Sequence, residues 1–194
     1  MKISRAATLF ALVLPLALPA QQPGGAPNTA GGPLTTMFRN ATMGRQRNIA
    51  QAFDSIPESL FSFKPTPAQQ SIGYIAAHLV TDNHLFCNAF GDKKVPRPDE
   101  GTTDSVKATW PKAKLVEQLK ASFVFCEEAF AQLDDAKLVE QAQVGMGGQT
   151  RNVLRAQMVM GHITDMADHY SQIANYMRLN KMLPPTALPR PPRP

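Results

Sequence analysis

Four stretches of the chain carry apolar residues at intervals of three and four, which is the spacing of an amphipathic α-helix. This pattern predicts helices over about 35–53, 66–90, 111–133 and 151–180. A polar, proline-containing segment over 93–109 makes one long connection between the second and third helices. The sequence shows no internal repeat and no run of strand-like alternation. It therefore predicts an all-α four-helix bundle with one long connection.

Local start and stop signals set the expected ends of these helices. Thr66 is predicted as the N-cap of the second helix, with Gln69 completing an S/T-x-x-E/Q capping box and Gly91 ending the helix. Thr150 is predicted to cap the fourth helix, directly after a glycine loop over 144–149.

The N-terminal segment 1–20 has the layout of a cleaved secretory signal peptide. Lys2 and Arg5 precede an apolar run over 6–18, and the small Ala20 precedes polar residues. The mature protein is therefore expected to be periplasmic or secreted. No later stretch has the roughly 18 consecutive apolar residues of a membrane-spanning helix, so no membrane span is expected after signal cleavage.

The rest of the chain is predicted to form one domain with irregular ends. Segment 21–34 is rich in glycine and proline and is expected to be a flexible linker. Segment 184–194 contains six prolines in eleven residues and is expected to be a non-helical tail. The helical bundle is accordingly predicted over 35–183.

The charge of the chain argues against a nucleic-acid partner. The formal net charge of +5 falls to +3 when Lys2 and Arg5 are removed with the signal peptide. No long basic run interleaved with aromatic side chains follows. A small-molecule ligand and a second copy of the chain, which would give a homodimer, are the partners that remain open.

Two cysteines, Cys87 and Cys126, remain in the mature chain. An even number of cysteines in an oxidising compartment predicts a disulfide between the segments that carry them. The alternative is a pair of buried free thiols.

Two polar side chains interrupt the apolar face of the second helix. On a helical wheel, His78 and Asp82 fall within the apolar stripe, whereas His84 falls on the opposite side and is expected to be solvated. Because an unpaired polar group is costly to bury, His78 and Asp82 are expected to have partners in the core.

The fourth helix has a polar seam on its apolar face, made of residues at intervals of three and four. These residues are His162, Asp165, His169, Gln172 and Tyr176. A core helix is normally apolar along such a face. This seam is the most informative feature of the sequence for function.

One interpretation of the seam is a metal site, which helical bundles build in their core from facing helices. Asp165 and His169 stand four residues apart and can reach one ion, and His78 can supply a third ligand from the second helix. Two histidines and a carboxylate suit Zn²⁺ or Fe²⁺ and leave room for water or substrate. His162 lies roughly 10 Å along the helix from His169, too far to share the ion easily.

Four further residues are expected to line the pocket or to support the ligands. They are Asp82, His162, Gln172 and Tyr176. The alternative interpretation is a structural network in which the same histidines and carboxylates satisfy one another in the core.

Two segments of the chain resemble the DinB family of bacterial helical bundles. They are AAHLVTDNHLFCNAFGDKK in the second helix and DHYSQIANYMRLNKMLPP at the end of the fourth. The strongest part is the terminal pattern H-Y-x-Q, Y-x-R-x-N and P-P, which runs from His169 to Pro185. The F-C pair of the second helix and the S-F-x-x-C of the third add to it, so that the resemblance covers roughly 37–185.

The resemblance implies a divalent metal held by three histidines, one on the second helix and an H-x-x-x-H pair on the last. His78 matches the first of these and His169 the last, but the middle position is Asp165. Either Asp165 is a carboxylate ligand or this member has lost tight metal binding. The implied cation is Zn²⁺, Ni²⁺, Fe²⁺ or Mn²⁺.

Some members of the family that the chain resembles are thiol-dependent S-transferases, but an exported protein lies away from the reducing thiol pool. This location argues against a thiol-dependent transferase. The expected function is a metal-dependent transferase or hydrolase whose substrate and catalytic residues the sequence does not identify. The alternative is a non-catalytic binding protein of the cell envelope, or a structural bundle with a degenerate metal site.

Overall fold

The computed structural model describes residues 31–146 and 148–189. The segment predicted as a signal peptide, most of the predicted linker and the end of the tail lie outside the described residues. The helices are α1 (Gly32–Ser55), α2 (Ile72–Phe90), α3 (Asp104–Lys107), α4 (Lys112–Ala131) and α5 (Arg155–Leu179). Two strands, β1 (Gln141–Met146) and β2 (Gln149–Leu154), form a hairpin before α5. Short 3-10 turns occur at Glu58–Leu60, Lys137–Val139 and Pro185–Ala187.

The four long helices α1, α2, α4 and α5 form the bundle, as the sequence predicted. Helix α2 packs against both α4 and α5, and α1 packs against α5 and α4. One buried apolar cluster draws Phe53, Leu79, Leu119 and Met166 from these four helices. A second buried apolar cluster contains Phe90 of α2 together with side chains of α4 and α5.

Helix α2 begins five residues later than predicted. Its N-cap is Ser71, whose hydroxyl accepts a hydrogen bond of 3.1 Å from the Tyr74 N–H. Thr66 and Gln69 instead form a separate turn, in which the Gln69 N–H donates to the Thr66 carbonyl. The prediction was wrong because this segment folds back on the preceding chain, where the Phe61 carbonyl accepts from the second residue of the helix at 2.7 Å.

The hairpin is the main departure from the predicted fold. Strands β1 and β2 pair antiparallel, with Gln141 opposite Leu154 and Met146 opposite Gln149. Helix α5 therefore begins at Arg155 and not at 151. The guanidinium of Arg155 fixes this start by pairing with Glu140 and Asp92 at 3.0 and 2.6 Å. The segment was predicted as loop and helix because its strands alternate poorly between apolar and polar residues.

Both ends of the described chain are more regular than expected. Helix α1 begins at Gly32, inside the predicted linker, because the Asp135 carboxylate accepts hydrogen bonds from the N–H groups of Leu34 and Thr35. The described part of the tail runs back along the bundle and makes one 3-10 turn. There the Tyr170 hydroxyl donates to the Thr186 hydroxyl at 2.9 Å.

Cys87 on α2 and Cys126 on α4 are paired at disulfide distance, with their Cα atoms 5.3 Å apart. The pairing agrees with the disulfide that the sequence predicted. Both cysteines are fully buried. The bridge links the C-terminal part of α2 to the C-terminal half of α4. In the described residues, no helix is both long and apolar enough to cross a membrane.

Candidate metal centre

Two histidines from different helices meet in the bundle interior. Helix α2 carries His78 and Asp82 one turn apart, and α5 carries Asp165 and His169 one turn apart. The His78 and His169 rings stand edge to face with their centroids 5.1 Å apart. The Nε2 of His78 lies 3.1 Å from Asp82 Oδ2, and the Nε2 of His169 lies 3.4 Å from Asp165 Oδ1.

Three of these residues could hold a metal ion. Ligand-type atoms of His78, Asp82 and His169 all lie within 4.8 Å of one another. The structure thus brings together the two histidines that the sequence singled out. Asp82, expected as a pocket residue, supplies the carboxylate of this group, while Asp165 lies beside it against His169.

A carboxylate from the long connection orients the ring of His78. The Asp104 Oδ2 lies 3.0 Å from His78 Nδ1, and the Thr81 hydroxyl donates to Asp104 Oδ1 at 2.7 Å. Because an ionised carboxylate only accepts hydrogen bonds, Nδ1 of His78 is the donor. Its Nε2 is then turned toward Asp82. Metal-binding histidines are commonly held in this way by a carboxylate on the opposite ring nitrogen.

Asp104 was missed at the sequence level. It lies on a segment predicted as a polar connection, and nothing in its spacing relates it to His78. A weak signal was present, because Thr103 is the N-cap of the short α3 and accepts a hydrogen bond from the Val106 N–H. That signal predicts a helical turn but does not place the turn against α2.

Crowded acidic groups make the site electrostatically favourable for a cation. Burial raises the pKa of Asp82 to about 6, the nearby Asp165 carboxylate raises it further, and the charges of His78 and His169 oppose both. Burial acts to lower the pKa of His169, but the adjacent Asp165 and the charge of Asp82 outweigh it, so that this pKa is raised. The two carboxylates thus favour a positive charge between the helices.

Two buried polar atoms at the site fit a metal ligand set. Nδ1 of His169 and Oδ2 of Asp165 make no well-aligned hydrogen bond among the described residues, although the Gln172 side chain lies near His169 and the Asp82 carboxylate lies near Asp165. Buried polar atoms are normally paired. His169 therefore has one ring nitrogen against Asp165 and another available as a ligand, which parallels the arrangement of His78 between Asp104 and Asp82. Imidazole and carboxylate donors of this kind suit Zn²⁺ and Fe²⁺.

The remaining residues of the predicted seam lie in three different environments. Gln172 is close to His169 and its Nε2 donates to Asp168 at 3.1 Å. Tyr176 belongs to the apolar core, where its ring meets Phe63 edge to face at 6.0 Å. His162 is fully buried beside the cysteine pair, and this burial lowers its pKa to about 4.

His84 was predicted to be solvated, and this prediction was wrong. The residue is buried, with its Nδ1–H donating to the Val80 carbonyl at 3.0 Å and its ring stacked on Phe125 at 5.1 Å. The helical wheel of α2 assumed one buried face. Helix α2 is instead covered by α4 on one side and α5 on the other, so its opposite face also lies inside the protein.

The candidate metal centre lies within a region of the chain that matches a known protein family. A profile described as the DinB superfamily matches residues 42–173. The chain belongs to the DinB superfamily. The matched region contains α2, α4 and most of α5, and with them every residue of the candidate metal centre. A search of curated proteins finds no match.

Solved structures share the fold at low sequence identity. A DinB-like protein from Bacillus cereus ATCC 10987 superimposes with a TM-score of 0.59 at 17% identity, covering 76% of this chain and 93% of that one. A conserved protein from Enterococcus faecalis gives a TM-score of 0.57 at 15% identity, with 77% and 98% covered. A mycothiol-dependent maleylpyruvate isomerase gives 0.58 at 10% identity, with 72% of this chain and 60% of the isomerase covered.

Proposed function

We propose that this DinB-superfamily protein binds a divalent cation between α2 and α5 and uses it for group transfer or hydrolysis. The observation that carries the proposal is the group of ligand-type atoms from His78, Asp82 and His169, all within 4.8 Å of one another. The Asp165 carboxylate contacts and orients the His169 ring, and the Asp104 carboxylate contacts and orients the His78 ring.

The site is accessible enough for chemistry. The side chain of His78 is 29% exposed and that of Asp82 is 15% exposed, so the ligand set borders solvent. A set of three protein ligands leaves a coordination position for water or substrate. When bound, a divalent cation supplies Lewis acidity, which lowers the pKa of a coordinated water or thiol.

An open cavity lined mainly by polar residues lies one helical turn from His78, and its walls include none of the three ligand residues. Its volume is about 970 Å³, and its walls include Phe61, Tyr74 and Trp110. Tyr74 lies one turn before His78 on α2, and the two rings have centroids 5.7 Å apart. Most of the other walls are polar, and the aromatic side chains offer contact to an apolar part of a substrate.

Metal content of the full-length protein purified without a histidine tag tests the proposal. We expect one equivalent of Zn²⁺, Ni²⁺, Fe²⁺ or Mn²⁺ by mass spectrometry, and at least a tenfold loss of affinity in Asp82→Asn and in His169→Gln. Asp168→Asn is the matched control, because Asp168 is exposed on the same helix. Protein that binds none of these cations after incubation with each would refute the proposal. Binding without any activity would make it a non-catalytic metal-binding protein.

We also propose that the protein acts outside the cytoplasm, in the periplasm or after secretion. The signal-like pattern of segment 1–20 and the cysteine pair at disulfide distance support this location. Expression of the complete chain followed by fractionation and intact-mass measurement tests it. We expect a mature protein that begins at Gln21. An uncleaved chain found only in the cytoplasm would contradict the proposal.

A further inference from the structure

A second group of ligand-type side chains lies farther along the same helices. Cys87 of α2, Cys126 of α4 and His162 of α5 have ligand-type atoms within 4.8 Å of one another, and all three are buried. The Nε2 of His162 is 3.9 Å from the Sγ of Cys87. His78 precedes Cys87 by roughly 13 Å along α2, so this group is separate from the metal centre described above.

The surroundings of His162 do not explain why a histidine is present. Its ring contacts Phe86 and Phe90, with centroids 5.9 and 6.0 Å away, and its Nδ1 has no hydrogen-bond partner among the described residues. Apart from the contact of Nε2 with the Cys87 sulfur, the imidazole is unpaired, and a buried ring nitrogen without a partner destabilises a fold. Burial keeps the imidazole neutral, so that a ring nitrogen has a lone pair available for a ligand.

We propose that reduction of the Cys87–Cys126 bridge opens a buried binding site for a thiophilic cation such as Zn²⁺, with both thiolates and the His162 imidazole as ligands. Two cysteines and one histidine are an established zinc ligand set. The bridged form offers no thiolate, so the site exists only in the reduced protein. It shares no ligand with the group formed by His78, Asp82 and His169 and does not depend on the function proposed for that group.

At the location proposed above, the switch requires a dithiol reductant that acts outside the cytoplasm, because the chain there lies away from the cytoplasmic thiol pool. Metal binding then releases protons. A dithiol supplies two electrons and two protons, the S–S bond breaks, each sulfur becomes a thiol, and the dithiol closes to its own disulfide. Binding of the divalent cation then displaces one proton from each thiol. Affinity in the reduced protein should therefore increase with pH. Reoxidation removes both thiolate ligands and releases the cation.

Cobalt titration of the full-length protein tests the inference. Protein carrying His169→Gln, which weakens the other centre, is titrated with Co²⁺ without oxygen, once in the bridged form and once after reduction with a phosphine. We expect a thiolate-to-cobalt charge-transfer band only in the reduced form, saturating at one equivalent and displaced by Zn²⁺. A reduced protein without this band would overturn the proposal, whatever the outcome for the His78 centre.

Two variants test whether His162 is a ligand. His162→Phe and His162→Gln, each compared by circular dichroism with the parent, should lower the cobalt affinity of the reduced form at least tenfold. His84→Phe is the matched control, because His84 is also buried but donates to the Val80 carbonyl. Unchanged affinity in a folded His162 variant would exclude the imidazole and overturn the three-ligand site. If neither His162 variant folds, the presence or absence of the thiolate-to-cobalt band in the reduced parent protein tests the site.

Discussion

The imidazole rings of His78 and His169 meet edge to face across α2 and α5, with their centroids 5.1 Å apart. The same two helices bring Cys87 next to His162. His78 meets His169 and Cys87 meets His162, so residue numbers rise along α2 in the direction in which they fall along α5. The two helices therefore run antiparallel. The interface between α2 and α5 thus contributes side chains to both groups, and α4 adds Cys126 to the second.

Asp104 is expected to strengthen metal binding through His78. In Asp104→Asn, the His78 Nδ1–H loses its carboxylate acceptor, so the ring is less well oriented for the metal. We expect metal affinity to fall about 10- to 100-fold. Competition with a chromophoric chelator measures this change. Asp99→Asn is the control, because Asp99 lies on the same connection but contacts Lys114. Equal affinities in both variants would contradict the assigned role.

The sequence predicted the four long helices because each has a wide apolar face at helical spacing. It did not predict the hairpin, since five of the six residues of β2 are exposed and leave no alternating pattern to recognise. At the base of the hairpin, contacts also reach a distant part of the chain. Arg155 joins Asp92 to Glu140, and no local pattern reveals such a link.

The sequence predicted which residues of the candidate site lie on buried helical faces, but not which residues on other helices they contact. Helical spacing placed His78, Asp165 and His169 on faces that do meet, and it placed Asp82 one turn from His78. Spacing along α5 alone could not separate the metal centre from the surroundings of His162. The helix passes three different neighbours along one face, and only the packing of α2 and α4 shows which polar residue meets which partner.

Gly73 is expected to be intolerant of any side chain. A Cβ at this position would lie 2.6 Å from the Ala108 carbonyl oxygen, which is backbone and cannot move aside easily. Gly73→Ala should lower the free energy of unfolding by about 1–3 kcal/mol. Gly44→Ala is the control, since nothing lies within 4 Å of a Cβ there, and helix propensity predicts a gain of about 0.5–1 kcal/mol. Urea denaturation measures the free energy of unfolding of both variants. If Gly73→Ala is as stable as Gly44→Ala, the contact with the Ala108 carbonyl does not restrict position 73.

The Cys87–Cys126 bridge is expected to stabilise the fold by restricting the unfolded chain. The two cysteines are separated by 39 positions. Closing a loop of this length removes chain entropy worth about 4 kcal/mol at 25 °C. Cys87→Ala combined with Cys126→Ala should lower the free energy of unfolding by a similar amount, as measured by denaturant titration. A double variant as stable as the bridged protein would show that the bridge does not constrain the unfolded state.

His162 is expected to make the fold sensitive to acid. Burial lowers its pKa in the folded protein from 6.5 to about 4, so the unfolded chain binds more protons than the folded one between these values. Stability should therefore decrease as pH falls through this window, by about 3 kcal/mol in total. The raised pKa of Asp82 changes stability in the opposite direction, so the pH dependence of the wild-type free energy of unfolding does not isolate His162.

The control is His162→Phe. Subtracting its free energy of unfolding from that of the wild type at each pH isolates the histidine, because Asp82 is present in both proteins. A difference that stays constant from pH 7 to about pH 4 would show that His162 is not a buried neutral imidazole.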